Sequence, residues 1–218
     1  MTSATEWTLR KLTKATPEEL DEAARVAEAA FKGDEFNKAC VGGNWDLLFP
    51  FWRGTLGASD VAGENWVATV GDKIVGVAGW FPAGRLLLDS PDQAKAGWNK
   101  FTELLTPELG KWWMEYFLPK YEEATTKAFG PNTKKDSWHL QTLCILPEFQ
   151  RRGIGHGLVN VKKNEIIAEG AGQAMCLESE VAKNTELYKS WGFEDKGKFS
   201  FESDVTSSRF DMWCLYKK

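Results

Sequence analysis

The stretch Leu143-Cys144-Ile145-Leu146-Pro147-Glu148-Phe149-Gln150-Arg151-Arg152-Gly153-Ile154-Gly155-His156-Gly157 decides how this chain is read. An apolar run of strand type enters a loop with two arginines and closely spaced glycines, and a helical pattern follows. Glycines let backbone N–H groups turn toward a ligand without a Cβ in the way, and a helix start adds partial positive charge. Arg151 and Arg152 supply charge-assisted donors suited to phosphate. The segment therefore reads as an anion cradle. Gly153-Ile154-Gly155-His156-Gly157 lacks the third spacing of a dinucleotide fingerprint, and the G-K-[ST] ending of a P-loop is absent. A plain glycine turn that merely opens a helix is the bland alternative.

Outward from the cradle, Trp138 to Leu146 reads as a strand and Gly153 to about Ala168 as a helix, with Ile154, Leu158, Val161 and Ala168 on one face. Ala174 to Glu180 reads as a strand, and Thr185 to Trp191 as a short helix stopped by Gly192. Gly197 to Glu202 and Phe210 to Tyr216 close the chain as strands. Toward the N-terminus, Trp66–Val70 and Lys73–Trp80 flank Gly71-Asp72 as a hairpin. Trp45 to Leu56 reads as helical, with Pro50 kinking it or marking a helix start. Thr16-Pro17-Glu18-Glu19 is a capping box ahead of Leu20, Ala24, Ala27 and Phe31, and Trp7 to Leu12 is a first strand. Between hairpin and cradle, Pro82 to Asp136 carries Leu109, Trp112, Trp113, Tyr116 and Phe117 at helical spacing, so it reads as a helical insertion.

Composition narrows the class. Of 218 residues, 43% are hydrophobic and 13% aromatic, including 11 Trp, which excludes a disordered chain. The 27 basic and 31 acidic side chains give a net charge of −4, no footprint for nucleic acid. No apolar run reaches the roughly 18 residues of a membrane span, and Met1 to Glu6 shows no secretory pattern. Cys40, Cys144, Cys176 and Cys214 are widely spaced and read as reduced thiols, without disulfide or metal site. These features predict a cytoplasmic protein.

Gln150-Arg151-Arg152-Gly153-Ile154-Gly155 resembles the acyl-CoA signature Q/R-x-x-G-x-G/A of the GNAT superfamily of N-acyltransferases. Leu140, Leu143, Ile145 and Pro147 look like that family's fourth strand. Asn184, Leu187-Tyr188 and Trp191-Gly192-Phe193 resemble its N-x-x-(x)-L-Y-x-x-x-G-F element. The resemblance implies an α/β (α+β) fold in one domain over 1–218, a mixed, mostly antiparallel sheet of six to seven strands flanked by helices. The helical insertion at about 82–136 falls between strands three and four, where the family's connection is usually short. It implies acetyl-CoA as cosubstrate, with no metal. Pantetheine would pair with the backbone of Cys144, Ile145 and Leu146, and pyrophosphate would rest on Gln150 through Gly155, Ile154 included, with His156 as a neighbour. Leu140 and Leu143, three apart, are compatible with the family's strand-four bulge, or with a strand buried on both faces.

Amide formation from a thioester needs a proton acceptor for the amine, donors for the oxyanion and a proton for the departing thiolate. By resemblance, Tyr188 is the acid. His139 occupies a position similar to a strand-four histidine of the arylalkylamine N-acetyltransferases, whose second histidine is Gln141 here. His139 and the strand-five carboxylates Glu178 and Glu180 are the candidate bases, and Asn184 either binds pantetheine or caps its helix. The aromatic residues of Phe31 to Trp66 and of the insertion form a core, a substrate cage or a homodimer interface. The expected activity is acetyl transfer to the primary amine of a small molecule. A non-catalytic acyl-CoA-binding regulator and an enzyme for protein amines are the alternatives.

Overall fold

The computed structural model describes residues 6–170 and 173–218, so the first residues read above for a secretory pattern, Met1 to Thr5, lie outside it. Seven strands form one sheet in the order β1-β2-β3-β4-β5-β7-β6. They are β1 (Thr8–Leu12), β2 (Glu64–Val70), β3 (Lys73–Phe81), β4 (Trp138–Ile145), β5 (Met175–Ser179), β6 (Glu194–Ser203) and β7 (Ser208–Lys217). All neighbours are antiparallel except β4 and β5, which are parallel. The mixed, mostly antiparallel sheet flanked by helices is the one expected.

The first helix, α1 (Pro17–Phe31), opens on the predicted capping box: Glu19 N–H donates to Thr16 Oγ1, and Thr16 N–H to Glu19 Oε2. A helix not legible in the sequence, α2 (Glu35–Cys40), follows, capped by Asp34. A single turn at Trp45–Leu47 leads into α3 (Leu48–Ala62). Pro50 lies in the first turn of α3, where its missing N–H has no ladder partner to lose, so it begins the helix without kinking it.

The connection between β3 and β4 is helical, as predicted. It holds α4 (Pro91–Gln93), α5 (Asn99–Thr102), α6 (Pro107–Lys111) and α7 (Leu118–Phe129), with π-helical turns at Ala94–Trp98 and Trp112–Phe117. Its aromatic residues are mostly core: Trp98, Phe101, Trp112, Trp113 and Phe117 are buried, and Phe51 of α3 lies 5.2–5.9 Å from Phe101, Trp98 and Trp113. Indole donors tie it down as well. Trp113 Nε1 donates to the Cys40 carbonyl at 2.9 Å, and Trp112 Nε1 to the Glu202 carbonyl at 3.0 Å.

The helix α8 (Ile154–Ala168) departs from expectation on its inner face. Ile154, Leu158, Val159, Lys162 and Ile166 are buried, whereas Val161 is half-buried and Ala168 exposed. The Lys162 ammonium is 2.9 Å from Glu64 and 3.0 Å from Glu165, and it lies 3.5 Å from the centre of the Trp138 ring. Paired and stacked this way, a lysine can replace an apolar residue under the sheet. The last helix is α9 (Ala182–Ser190).

Candidate active site

The parallel pairing of β4 with β5 runs only from Trp138↔Met175 to Leu140↔Leu177. At the next residue β4 bulges: Gly79 of β3 faces Thr142 while Trp80 faces Leu140, leaving Gln141 as the extra residue. Beyond it, β4 stays with β3 and β5 with β7, so the sheet opens into a cleft. A cavity of about 1800 Å³ runs through this opening from the glycine loop to the aromatic insertion.

At one end lies the cradle. Arg151 and Gly153 both adopt positive φ, 59° and 81°. For Arg151 this left-handed backbone costs roughly 1–2 kcal/mol, the kind of strain found where a loop must present its amides. Gly153 takes the N-cap position of α8 with no side-chain cap. The first ladder bond runs from Gly157 N–H to the Gly153 carbonyl, so the N–H groups of Ile154, Gly155 and His156 stand outside the ladder. The two arginines differ. Arg152 is anchored in the loop, donating from Nη2 to the Glu148 carbonyl at 2.8 Å with its guanidinium 5.0 Å from the Phe149 ring centre. The exposed Arg151 side chain makes no hydrogen bond or ion pair among the described residues. Gln150 Nε2 donates to the Ile145 carbonyl at 3.1 Å. His156 is exposed beside Trp191, 5.2 Å between ring centres.

The strand register corrects one expectation. Leu146 N–H donates to the Val75 carbonyl, and Cys144 faces Val77 two residues earlier in the same register. In an antiparallel ladder alternate residues bond the same neighbour, so Cys144 and Leu146 direct their backbone groups to β3. Leu143 and Ile145 present theirs to the open side of the cleft. Asn184 is likewise not a cap: it sits inside α9, whose N-cap is Val181, and its side chain lines the cavity.

At the centre, His139 of β4 meets Glu178 of β5, Nε2 to Oε2 at 2.7 Å, with the imidazole 1% exposed. The Tyr121 hydroxyl donates to the same Glu178 oxygen at 2.8 Å. Lys134 Nζ lies 3.2 Å from Glu178 Oε1 and donates to the Tyr121 hydroxyl. Burial raises the Glu178 pKa, but Lys134, then His139 and Tyr121, outweigh it and hold the carboxyl well below its usual range. An ionised carboxylate only accepts, so Nε2 of His139 carries the proton and Nδ1 keeps a lone pair. Nδ1 is buried with no partner among the described residues. Burial, then Lys134, lowers the His139 pKa against the opposing pull of Glu178, so the ring is neutral at neutral pH. Glu178 thus orients the imidazole and is itself a poor base. Glu180 is the opposite case, half-buried and pushed up to about 8 by burial, Asp34 and Glu178.

Tyr188 of α9 lines the cleft at 9% exposure, edge-on to Trp191 (5.3 Å) and Phe193 (5.9 Å). Burial, then Glu180 and Cys144, pushes its phenol upward, so it keeps its proton. The far end of the cavity is walled by Phe31, Trp52, Trp98 and Trp113, with Asp34, Glu122, Glu178 and Glu180 beside Lys134, and Leu86, Leu87 and Leu88 also line it. The aromatic residues are therefore both core and cavity wall. Lys134 and Tyr121 had no signal in the sequence: one lies in a polar loop, the other on α7, beyond the Leu109 to Phe117 spacing that marked the helical pattern. Among the described residues, no group of three or more His, Cys, Asp or Glu is placed to hold a metal ion, and no helix is long and apolar enough to cross a membrane.

A sheet parted beside a bulged strand, with an uncapped helix start at the mouth of the parting, defines an acyltransferase-type fold. The chain belongs to the GNAT acetyltransferase family: the family model described as acetyltransferase (GNAT) domain matches residues 89–207. No curated protein matches the sequence. Among solved structures it is similar to a Corynebacterium glutamicum protein described as histone acetyltransferase HPA2 and related acetyltransferase (20% identity, 97% of this chain and 95% of that one, TM-score 0.59). It is also similar to the polyamine N-acetyltransferase of Drosophila melanogaster (14%, 97% and 99%, TM-score 0.60) and to mosquito arylalkylamine N-acetyltransferase-like 5b (13%, 97% and 99%, TM-score 0.58).

Proposed function

We propose that this protein transfers an acetyl group from acetyl-CoA to the primary amine of a small molecule by direct attack in a ternary complex. The observation that carries the reading is the single cleft joining the cradle to the His139–Glu178 pair, with Tyr188 lining the same cleft. The residues present fit acetyl-CoA: the free N–H groups of Ile154, Gly155 and His156 suit a pyrophosphate, with Arg151 beside them. Leu143 and Ile145 offer the backbone edge that an extended pantetheine pairs with. When bound, acetyl-CoA supplies an activated acyl carbon.

The chain's own residues supply the rest. An alkylammonium of pKa about 10 has no lone pair for attack. His139 Nδ1 takes its proton, directly or through one water, and Glu178 holds the resulting imidazolium in place. The Leu143 N–H faces the developing oxyanion. As the C–S bond breaks, Tyr188 protonates the departing sulfur. Aromatic faces and an excess of carboxylates at the far end favour a cationic acceptor.

The test is thiol release from acetyl-CoA against aryl, alkyl and polycationic amines, with a lysine peptide included. Amine-dependent release with one or more small amines supports the reading. Release with the peptide alone assigns protein amines instead, and no release with any acceptor leaves acyl-CoA binding without turnover.

A further inference from the structure

We propose that Lys134 and Tyr121, both contributed by the helical connection between β3 and β4, are positioning residues for this reaction: they lock Glu178 as the acceptor of the His139 Nε2 proton and so reserve Nδ1 for the substrate amine. The proposal rests on the acetyl-transfer reading above and gives the connection a role in the chemistry beyond walling the cavity.

The geometry is a relay across three segments. Lys134, its side chain 17% exposed, stands just before β4 and pairs with Glu178 Oε1 while donating to the Tyr121 hydroxyl. The Tyr121 hydroxyl then has its own proton left for Glu178 Oε2, the same oxygen that takes the His139 Nε2–H. Lys134 thus serves both Glu178 and Tyr121, Tyr121 and His139 converge on Oε2, and the chain ends on the unpartnered Nδ1. If Lys134 were neutral, Glu178 would be a carboxylate in a site only 6% exposed, its hydrogen bonds among the described residues coming from a hydroxyl and an imidazole. Protonation of Glu178, or of His139, would then relieve the buried charge, and either event removes the Nδ1 lone pair or its orientation. The other titratable groups around His139 are Cys176, its partner on β5, and Glu180, Asp34, Glu122 and Tyr188, which line the same cleft. Of the other cations on that cleft, Arg151 and Arg152 belong to the cradle and Lys183 is exposed on the first turn of α9, so Lys134 is the one paired with Glu178.

The test uses the full chain and two readouts. The protein holds 2 histidines, His139 and His156, so nitrogen-15 NMR resolves the protonation and tautomer of His139 directly. In the unmodified protein the ring should be the Nε2–H tautomer, titrating below an ordinary imidazole. In Lys134→Gln the midpoint should rise by about one pH unit, the size of shift a near charge produces. The acid limb of kcat/KM for the best amine of the panel should rise in step, and Lys134→Arg should restore both. An unmoved midpoint in Lys134→Gln overturns the proposal. If that variant fails to fold, the unmodified protein decides: an Nδ1–H tautomer, or a midpoint at or above the ordinary value, overturns it as well. Absence of thiol release from the unmodified protein would instead count against the acetyl-transfer reading, and the NMR arm would still report on the relay.

Discussion

Tyr188 shows how burial assigns a role at the scale of a single residue. Packed edge-on against Trp191 and Phe193, its phenol is shifted away from ionisation and keeps the proton that the proposed reaction asks of an acid. Tyr188→Phe keeps the packing and deletes the proton. It should lower kcat by about 10²-fold, at the lower end of general acid–base contributions, while KM for acetyl-CoA changes little; steady-state kinetics checks this, and an unchanged kcat removes Tyr188 from the chemistry. The two carboxylates of β5 and its end make a second residue-scale contrast. Glu178 is stabilised as an ion by Lys134, His139 and Tyr121, whereas Glu180 is pushed up to about 8. In the folded state Glu180 therefore holds its proton more tightly than its ordinary 4.5, a contribution to stability present at low pH and lost as pH rises through about 8. Glu180→Gln should gain thermal stability over the parent at pH 9 and none at pH 5, as differential scanning fluorimetry would show. The residue types Tyr188, His139 and Glu178 were legible in the sequence. Which of the carboxylates is the ion was not, because it depends on a lysine and a tyrosine brought in from elsewhere.

The elements that shape the site follow local rules to different extents. The capping box of α1 and the Gly71-Asp72 hairpin act within a few residues, so their patterns survive into the structure. The bulge in β4 was foreshadowed by the broken alternation between Leu140 and Leu143, but not the direction of the backbone groups beyond it. That direction is set by pairing with β3, which takes the groups of Cys144 and Leu146. The aromatic connection docks on α3 through close backbone contact: a Cβ at Gly57 would come within 2.4 Å of the Ala96 carbonyl oxygen, and one at Gly54 within 3.0 Å of the Trp98 N. Gly57→Ala should therefore destabilise the fold by about 1–3 kcal/mol, the usual cost of overpacking, read by denaturant unfolding. An unchanged midpoint would mean that the connection is not held at this crossing.

For the whole molecule, the cleft between β4 and β5 is a seam in the sheet that a ligand would bridge. If coenzyme A occupies the cradle and the open edge of β4, it binds the folded chain alone, and at a hundred times its Kd it should stabilise by about 2.7 kcal/mol. For a chain of this size that corresponds to a rise in Tm of about 5–10 °C. A melting curve insensitive to coenzyme A would contradict the assignment of the cradle. The glycine loop with its helix start, the strand and helix types around it, and the aromatic weight of the β3–β4 connection are legible in neighbouring residues, because turn chemistry, capping and periodicity operate within a few residues. That His139 meets Glu178 across 39 positions of chain, that Lys134 and Tyr121 close the same network, and that Leu143 and Ile145 face the cleft emerges with long-range packing alone. These follow from which strands part, which register they keep and which distant charge becomes buried beside them, and no local pattern encodes the balance between desolvation and a partner that arrives from another element.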